Sequence, residues 1–231
     1  MFVVGAEHTS DPEARLSRAT AQRLSHYLRC VGSVARNGGT VSSVDLARSV
    51  GVSAAQVRRD LAALGHLGQR GVGYDAAGLA AAIRRTLGID RPWRAVLVGV
   101  GNLARALLRY RGFRDQGFLI VGLFDNDPAK VGQVVEGLTV EPTAAIPTRV
   151  PMLRAELGVL TVPSEPAQAV ADALTAAGVR GLLNFAPVFL RTPPAVRVVT
   201  VDLAIQLEQL AFQVQLPDGT AEGVERTRPG R

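Results

Sequence analysis

The ten residues from Ala95 to Ala104 restrict this chain more than any other stretch of it. An apolar run, Ala95 to Val98, passes directly into Gly99, Val100, Gly101, Asn102, Leu103 and Ala104, where a helical pattern begins. This is a G-x-G-x-x-A form of the fingerprint that joins the first strand of a Rossmann βαβ unit to its helix. Gly99 permits the tight turn, Gly101 lets backbone N–H groups approach a pyrophosphate at the helix N-terminus, and Ala104 keeps helix and strand close. Alone the pattern is weak. Asp125 strengthens it, because it closes the second apolar run, 21 residues after Ala104, where a carboxylate accepts hydrogen bonds from the adenosine ribose. A carboxylate there repels a 2′-phosphate, so NAD(H) is expected rather than NADP(H). The competing reading is an α/β domain that uses these glycines for packing alone.

The pattern around this nucleus predicts strands over Arg94–Val98, Phe118–Phe124, Val159–Val162, Leu182–Phe185 and Val196–Val201. It predicts helices over Leu103–Tyr110 and Ala167–Ala177, and a short one from Pro128. Strands alternating with helices imply a parallel sheet covered on both faces. A last helix, Leu203–Leu216, carries the stripe Leu203, Leu207, Leu210 and Val214, with Ile205 and Phe212 on another side. Two apolar faces on one helix require more than one neighbour, which points to a subunit interface.

The texture changes across Gly88 to Trp93. Before it, Arg18–Val34 places Leu24, Leu28 and Val31 on one helical stripe. A second helix opens at the capping signature Ser42 to Asp45 and stops at Gly51; a third opens at Ser53, with Gln56 at N3 of an expected capping box and Val57, Leu61 and Leu64 as its stripe. Two short helices around a tight turn make a helix-turn-helix. The third helix turns Ala55, Gln56, Arg59 and Ala63 away from its stripe, with Arg58 flanking and Ser43 at the start of the preceding helix. These are candidate DNA contacts, Arg59 foremost. Set against them is a solvated basic face. Gly65 to Tyr74 holds four glycines in ten residues and suits a β-hairpin wing, with Arg70 and Gly71 at its tip and Tyr74 anchoring it; a flexible connector is the alternative.

Charge placement agrees with this division. Met1 to Arg91 holds twelve Arg and seven acidic residues, whereas Pro92 to Arg231 holds fourteen basic and thirteen acidic residues, so a polyanionic partner is expected at the N-terminal third. Cys30 is the single cysteine, which offers neither a disulfide nor a metal site, and no apolar run reaches the ~18 residues of a membrane span. No metal, no membrane and a cytoplasmic location are therefore expected. His8, His26 and His66 all precede the α/β part, leaving no imidazole to move a proton beside a bound nicotinamide. The dinucleotide is read as a signal and not as a hydride source, so no enzyme activity is expected. The other readings are an NAD-dependent oxidoreductase with an accessory helix-turn-helix domain, and a CoA-binding module of the same topology.

These motifs, in this order, resemble those of the Rex family of redox-sensing transcriptional repressors, from about Arg18 to about Val214. The likeness is carried by Arg23 to Arg29, Ala55 to Leu61, Arg70 to Tyr74, Val98 to Leu103, Tyr110 to Phe113, Phe124 to Pro128, Leu160 to Pro163, Leu183 to Pro187 and Val201 to Leu203. The resemblance implies an α/β fold class with an N-terminal winged helix-turn-helix, a C-terminal Rossmann domain and a domain-swapped C-terminal helix. It implies a homodimer that binds palindromic double-stranded operator DNA and is released when NADH binds, while NAD+ competes weakly. By motif the pyrophosphate is expected over Gly99, Gly101, Asn102, Leu103 and Ala104, and the adenosine ribose by Asp125, with Lys130 near the adenine end. The nicotinamide is expected near Thr161, Val162, Pro163, Asn184, Phe185 and Ala186, with Tyr110 and Leu203 approaching from the second subunit. Arg29 and Asp202 match a state-dependent salt bridge. The boundaries so expected are a flexible tail over 1–15, the winged helix over 16–90, the Rossmann domain over 91–201, the exchanged helix over 202–216 and a second flexible tail over 217–231. The chain departs from the family pattern where Leu61-Ala62-Ala63-Leu64-Gly65 replaces Leu-Ser-Tyr-Phe-Gly, at Ala104 in place of the third fingerprint glycine, and at Leu203, often aromatic in relatives.

Overall fold

Ser17 starts the first ordered element: its side chain accepts a hydrogen bond from the Thr20 N–H and so begins α1, Arg18–Ala35. In this computed structural model residues 16–65, 68–69 and 72–215 are described, and the chain divides into two units, Met1–Pro92 and Trp93–Arg231. The tails expected over 1–15 and 217–231, and Arg70 and Gly71, expected at the tip of a wing, lie outside the described residues.

In the first unit α1 is followed by β1 (Thr40–Val41), α2 (Ser43–Val50), α3 (Ala54–Ala62), β2 (Gly68–Gln69), β3 (Gly73–Asp75) and α4 (Ala76–Thr86). The expected stripe of α1 is buried, with Leu24, Tyr27, Leu28 and Val31 packed against Leu46 of α2, Val57 and Leu61 of α3, and Leu79 and Ile83 of α4. The expected capping box closes at α2, where Ser42 and Asp45 exchange hydrogen bonds, and Gly51 ends that helix in the left-handed region. At α3 only half of it forms. Ser53 accepts from the Gln56 N–H, but the Gln56 side chain turns forward to the Asp60 carboxylate instead of back to the Ser53 N–H. A charged acceptor one turn ahead makes the stronger bond. Strands β2 and β3 pair antiparallel, Gly68 opposite Tyr74 and Gln69 opposite Gly73, and β1 joins the other edge of β3. The glycine-rich stretch is thus a hairpin on a three-stranded sheet. Helix α4 and strand β1 had no expectation: α4 shows only Leu79 and Ile83 among alanines, too thin an apolar stripe to mark a helix.

The second unit winds β4 (Trp93–Val98), α5 (Asn102–Arg109), α6 (Arg111–Asp115), β5 (Phe118–Asp125), β6 (Val134–Val135), β7 (Leu138–Pro142), a 3-10 turn at Thr143–Ala145, α7 (Ile146–Leu153), β8 (Leu157–Leu160), α8 (Ser164–Ala176), β9 (Gly181–Asn184), β10 (Arg197–Thr200) and α9 (Leu203–Gln215). The sheet order is β10-β9-β8-β4-β5-β7-β6. Six neighbouring strands run parallel, and β6 adds an antiparallel edge through its hairpin with β7. Read outward from β4 this is the doubly wound order 3-2-1-4-5-6, whose winding reverses between β4 and β8, the place where such sheets bind ligands. Apolar residues pack on both faces, Phe124, Leu160 and Leu174 on one side and Leu97, Leu123 and Val140 on the other.

Three expectations shift here. The helix expected from Pro128 is a turn, because the Asp127 carboxylate accepts the Ala129 N–H while its carbonyl accepts those of Lys130 and Val131. The strand expected to reach Val162 ends at Leu160. The two-stranded β6–β7 hairpin and α7, which contains Pro147 and Pro151, had no counterpart in the expectations, since prolines conceal helical periodicity. Helix α9 buries none of its residues; Leu203, Leu207, Leu210, Phe212 and Val214 are all exposed. Among the described residues no helix is long and apolar enough to cross a membrane, and no cluster of His, Cys, Asp or Glu has a metal-binding arrangement.

Candidate functional site

In the first unit the third helix of the helix-turn-helix is anchored by its one buried acid. Asp60 lies one turn from Val57 and beside Leu61 on the inward side, 4% exposed. Its Oδ2 accepts from Arg23 Nε at 2.7 Å and Tyr27 OH at 3.0 Å; its Oδ1 accepts from Arg23 Nη2 at 2.8 Å and Gln56 Nε2 at 2.9 Å. Burial acts to raise the Asp60 carboxyl, but the hydrogen bonds from Arg23, Gln56 and Tyr27 outweigh it and hold it below the usual carboxylate range. Burial, with the Asp60 hydrogen bond, pushes the Tyr27 hydroxyl up to about 12. The network ties α3 to α1 through charge-assisted bonds where burial strengthens them.

Outward from this anchor lie the expected DNA contacts. Ala55, Arg58 and Arg59 are exposed and Gln56 is half-buried. The Arg59 Nη2 donates to Gln56 Oε1 at 2.6 Å, and Arg58 Nη1 donates to Ser43 Oγ at 3.0 Å, joining α3 to the first turn of α2. Tyr74 packs against the core of this unit and lies over Gly68, where any Cβ would meet its ring carbon at 2.8 Å. It therefore anchors the base of the hairpin. Arg29 is exposed on α1. Asp60, Arg23 and Tyr27 belonged to no expected site, although an aspartate placed on the apolar side of an amphipathic helix is a legible sign of a buried pair.

In the second unit the candidate crevice opens where β4 and β8 end. Gly99 has φ +92°, and a Cβ on it would lie 2.6 Å from the Thr161 carbonyl oxygen; conformation and space both require glycine. Thr161 closes the same spot, its hydroxyl donating to the carbonyls of Gly99 (2.7 Å) and Val98 (3.1 Å). At Gly101 a Cβ would meet nothing within 4 Å. Gly101 is the N-cap of α5 and supplies no side-chain cap, so the first turn of α5, where Asn102 and Leu103 are exposed, has the N–H groups and dipole that favour an anion. Ala104 is fully buried against the sheet, as the close helix–strand contact expected of it requires.

Asp125, 8% exposed, stands at the end of β5. Its Oδ2 accepts from the Val100 N–H at 2.7 Å and from Lys130 Nζ at 3.1 Å, and its Oδ1 accepts from the Asp127 N–H at 2.9 Å. Burial acts to raise this carboxyl and is outweighed by the backbone bonds from Asp127 and Val100 and by Lys130, so it too lies below the usual range. The Asp125 hydrogen bond in turn raises the Lys130 ammonium. Asp125 thus shapes the glycine turn itself and keeps one lone pair of Oδ1 for a ligand hydroxyl. Beside it Asn126 accepts a short hydrogen bond from the Thr143 hydroxyl. Asn184 is fully buried: its amide nitrogen donates to the carbonyls of Ala186 and Val188, and its Oδ1 accepts from the Ala186 N–H. It holds the loop after β9, whereas Phe185 and Val162 are half-buried and Pro163 is exposed.

Tyr110 and Leu203 are both more than half exposed, Tyr110 edge-on to Phe113 with ring centroids 5.4 Å apart. Asp202 caps α9, its Oδ1 accepting from Ala204 N–H at 2.9 Å and Ile205 N–H at 3.2 Å. Arg29 and Asp202 belong to different units.

Comparison with known proteins agrees with both halves of this description. Residues 90–188 match the family described as "CoA binding domain", and residues 15–62 the one described as "Putative DNA-binding protein N-terminus". The chain is 47% identical over 201 residues to the redox-sensing transcriptional repressor Rex of Desulfitobacterium hafniense, covering 87% of this chain and 96% of that protein. It is 46% identical to the Rex of Rhodopirellula baltica, covering 91% and 90%, and 41% identical to that of Streptomyces avermitilis, covering 99% and 91%. Among solved structures it resembles RSP in complex with β-NAD+ and operator DNA, with a TM-score of 0.81, 30% identity and coverage of 87% and 94%. It also resembles RSP in complex with β-NADH, with a TM-score of 0.77, 28% identity and coverage of 87% and 95%.

Proposed function

The chain belongs to the Rex family of redox-sensing transcriptional repressors, and we propose on that premise that its first unit holds operator DNA until NADH binds its second unit. The observation that carries the sensing half is the uncapped N-terminus of α5 above Gly101, at the point where the sheet reverses its winding. The residues there fit a dinucleotide. Gly101, Asn102 and Leu103 present the uncapped start of α5 to a pyrophosphate, Gly99 makes the turn beneath it with its own N–H held by the Phe124 carbonyl, Ala104 keeps helix and strand close, and Asp125 offers the free lone pair of Oδ1 to a ribose hydroxyl while Lys130 stands beside it. Thr161, Val162, Pro163, Phe185 and Ala186 border the same strand ends, on the side suited to a nicotinamide, and Asn184 contributes by holding their loop. The two redox states of the ring differ in charge, neutral in NADH and cationic in NAD+, and that difference is what a sensor can read. No histidine lies in this unit, which suits a signal better than a hydride transfer.

The CoA binding domain match describes the same Rossmann topology. The Asp125 carboxylate and the winged helix favour the dinucleotide reading, because a ribose lacking a 2′-phosphate suits that carboxylate.

For the DNA half, Arg58 and Ser43 form a pair suited to a backbone phosphate, and Ala55, small and exposed near the start of α3, lets the helix backbone lie close to the major groove. Tyr74 holds the base of the hairpin, and Arg70 and Gly71 are proposed as further contacts to the DNA. The apolar faces of α9 support a homodimer in which this helix packs on a second subunit, with the partner subunit's Tyr110 and Leu203 completing each nicotinamide site. Two equivalent α3 helices then fit a palindromic operator. Arg29 and Asp202 form the state-dependent link between DNA reader and sensor, and the cytoplasm is the compartment in which such a regulator meets both ligands.

The test is displacement from a pseudo-palindromic operator duplex, followed by fluorescence anisotropy, with NADH titrated at several fixed NAD+ concentrations. NADH is expected to release the duplex at micromolar concentration while equal NAD+ leaves it bound. Equal release by both nucleotides would falsify the sensing claim.

A further inference from the structure

Gln56 is the residue of α3 that DNA-recognition chemistry marks as a reader of adenine, since a free glutamine amide pairs with N6 and N7 through its oxygen and nitrogen together. In this protein both ends of that amide are already engaged. Nε2 donates to Asp60 Oδ1 at 2.9 Å, and Oε1 accepts from Arg59 Nη2 at 2.6 Å. The chain of contacts continues inward, because Asp60 is clamped by Arg23 and Tyr27 of α1. A continuous line of hydrogen bonds therefore runs from the buried centre of the unit, through Asp60 and Gln56, to the exposed guanidinium of Arg59.

We infer that Gln56 is a positioning residue and not a base reader, and that the Asp60–Gln56 relay holds Arg59 ready to take the O6 and N7 edge of a guanine. The inference rests on α3 being the DNA-reading helix proposed above. Its chemistry is internally consistent. A guanidinium carries five N–H donors and Gln56 uses one. If that donor is the Nη2 hydrogen on the Nε side, the end-on pair of Nη1 and Nη2 is left; if it is the inner one, the side-on pair of Nε and Nη2 is left. Either leaves a two-donor edge matching guanine O6 and N7. A long, exposed arginine ordinarily loses side-chain freedom on binding; a guanidinium already tied to a buried carboxylate through one glutamine has lost part of it beforehand. The relay also orders the two functional groups by depth, with Gln56 half-buried and Arg59 exposed.

The experiment uses the full-length chain, an operator duplex, and duplexes in which each guanine in turn is replaced by 7-deazaguanine, which lacks the N7 acceptor. Arg59→Ala is expected to lose roughly tenfold to a hundredfold in affinity and to become indifferent to one deazaguanine position. Gln56→Met keeps the side-chain length and removes both amide contacts. It is expected to weaken binding by about three- to tenfold, with reduced discrimination at that same guanine and none lost at any adenine, and to have no further effect when combined with Arg59→Ala. Loss of discrimination at an adenine probed with 7-deazaadenine, or additive losses in the double variant, would make Gln56 a reader and overturn the inference. If neither single variant changes operator affinity while NADH still binds, the DNA-reading face itself is misassigned, which is a different failure. Thermal unfolding of Gln56→Met keeps a purely structural loss apart, because general destabilisation lowers affinity for every duplex alike.

Discussion

The two units build their functional surfaces from different material. In the first, the surface is made of side chains, held from within by other side chains: Arg59 on Gln56, Gln56 on Asp60, Asp60 on Arg23 and Tyr27. In the second, it is made of backbone, the turn at Gly99 and the uncapped start of α5, and the surrounding side chains hold backbone in place. Asp125 grips the N–H of Val100, Thr161 the carbonyl of Gly99, and Asn184 the loop at Ala186. The difference suits the ligands proposed for the two surfaces. A base sequence is discriminated by side-chain donors and acceptors at fixed positions, whereas a pyrophosphate is the same in every dinucleotide and is met by peptide N–H groups. The first surface is open to retuning by side-chain substitution, whereas at Gly99 in the second even a methyl group would run into the Thr161 carbonyl.

The largest effect that separates the two is expected from Asp60→Ala. Removing one partner of a buried ion pair costs about 3–5 kcal/mol, and Arg23, 23% exposed beside Asp60, places this pair near the lower figure. The loss falls on the first unit. Trp93, the single tryptophan, begins β4 of the second unit, so its fluorescence reports that unit while far-UV circular dichroism reports both. Under urea an early dichroism transition is expected with the Trp93 transition in place; a Trp93 transition that moves equally would break the division drawn here.

Gly99→Ala is the corresponding change on the backbone side. Its Cβ would lie 2.6 Å from the Thr161 oxygen, at a φ that L residues rarely adopt. NADH affinity is expected to fall by about a hundredfold, the equivalent of ~2.7 kcal/mol, with operator affinity unchanged but no longer responsive to NADH. Calorimetric titration with NADH reads the first quantity and anisotropy the second. A smaller loss belongs to Asp125→Asn. Replacing a charged acceptor is expected to cost about 1.5–3 kcal/mol in NADH binding, divided between the ribose and the Val100 N–H; unchanged affinity would show that the ribose lies elsewhere.

The same division explains what was legible beforehand. Backbone requirements leave glycines at set spacings, so the crevice at Gly99 and Gly101 and the acid at Asp125 could be read directly, and the capped starts of α2 and α3 likewise. Side-chain relays leave no spacing rule. Gln56 occupied the N3 position of a capping box, and local pattern could not show that a carboxylate four residues ahead, fixed by α1, would take its amide. Asn184 lay in a stretch expected to face the nicotinamide, and only the path of the loop after β9 reveals that its side chain faces inward. Elements with diluted or interrupted stripes, α4 with its alanines and α7 with its prolines, were missed for the same reason: tertiary packing rather than local periodicity defines them.

Alkali bears on both units, through Lys130 in the second and Tyr27 in the first, and the Tyr27 share is separable by substitution. Burial and the Asp60 hydrogen bond raise Tyr27 to about 12 from the ordinary tyrosine value of 10.0. A group with a raised folded value contributes stability that is intact below its unfolded value and lost as pH climbs through the folded one. The first unit is therefore expected to weaken between about pH 10 and 12, by at most ~1.4 kcal/mol per pH unit, and Tyr27→Phe is expected to flatten that slope. Asp60 and Asp125 are both lowered, so their contributions hold above the ordinary carboxylate range and fade only as pH falls below it. Acid weakens both units and does not tell them apart. Urea midpoints across pH 7–11, by circular dichroism for wild type and Tyr27→Phe, test the point; parallel slopes would remove Tyr27 from the account.

The smallest expected change in stability carries the most about how the units communicate. Asp202 has two separable capacities. Its Oδ1 caps α9 by accepting from Ala204 and Ile205, and its charge is available to Arg29 in the proposed switch. Asn caps a helix about as well as Asp, so Asp202→Asn keeps the cap, loses the charge, and is expected to change unfolding free energy by less than about 0.5 kcal/mol. Asp202→Ala loses both and is expected to cost about 1 kcal/mol. If the ion pair biases the operator-bound state, the two variants should alter the response to NADH alike, both releasing DNA at lower NADH than wild type, despite their different stabilities. If Asp202 acts only as a cap, the response should follow stability, with Asp202→Asn close to wild type and Asp202→Ala displaced. NADH titrations of both variants, bound to one operator duplex and compared with Arg29→Gln, decide between a switch carried by charge and one carried by the integrity of α9.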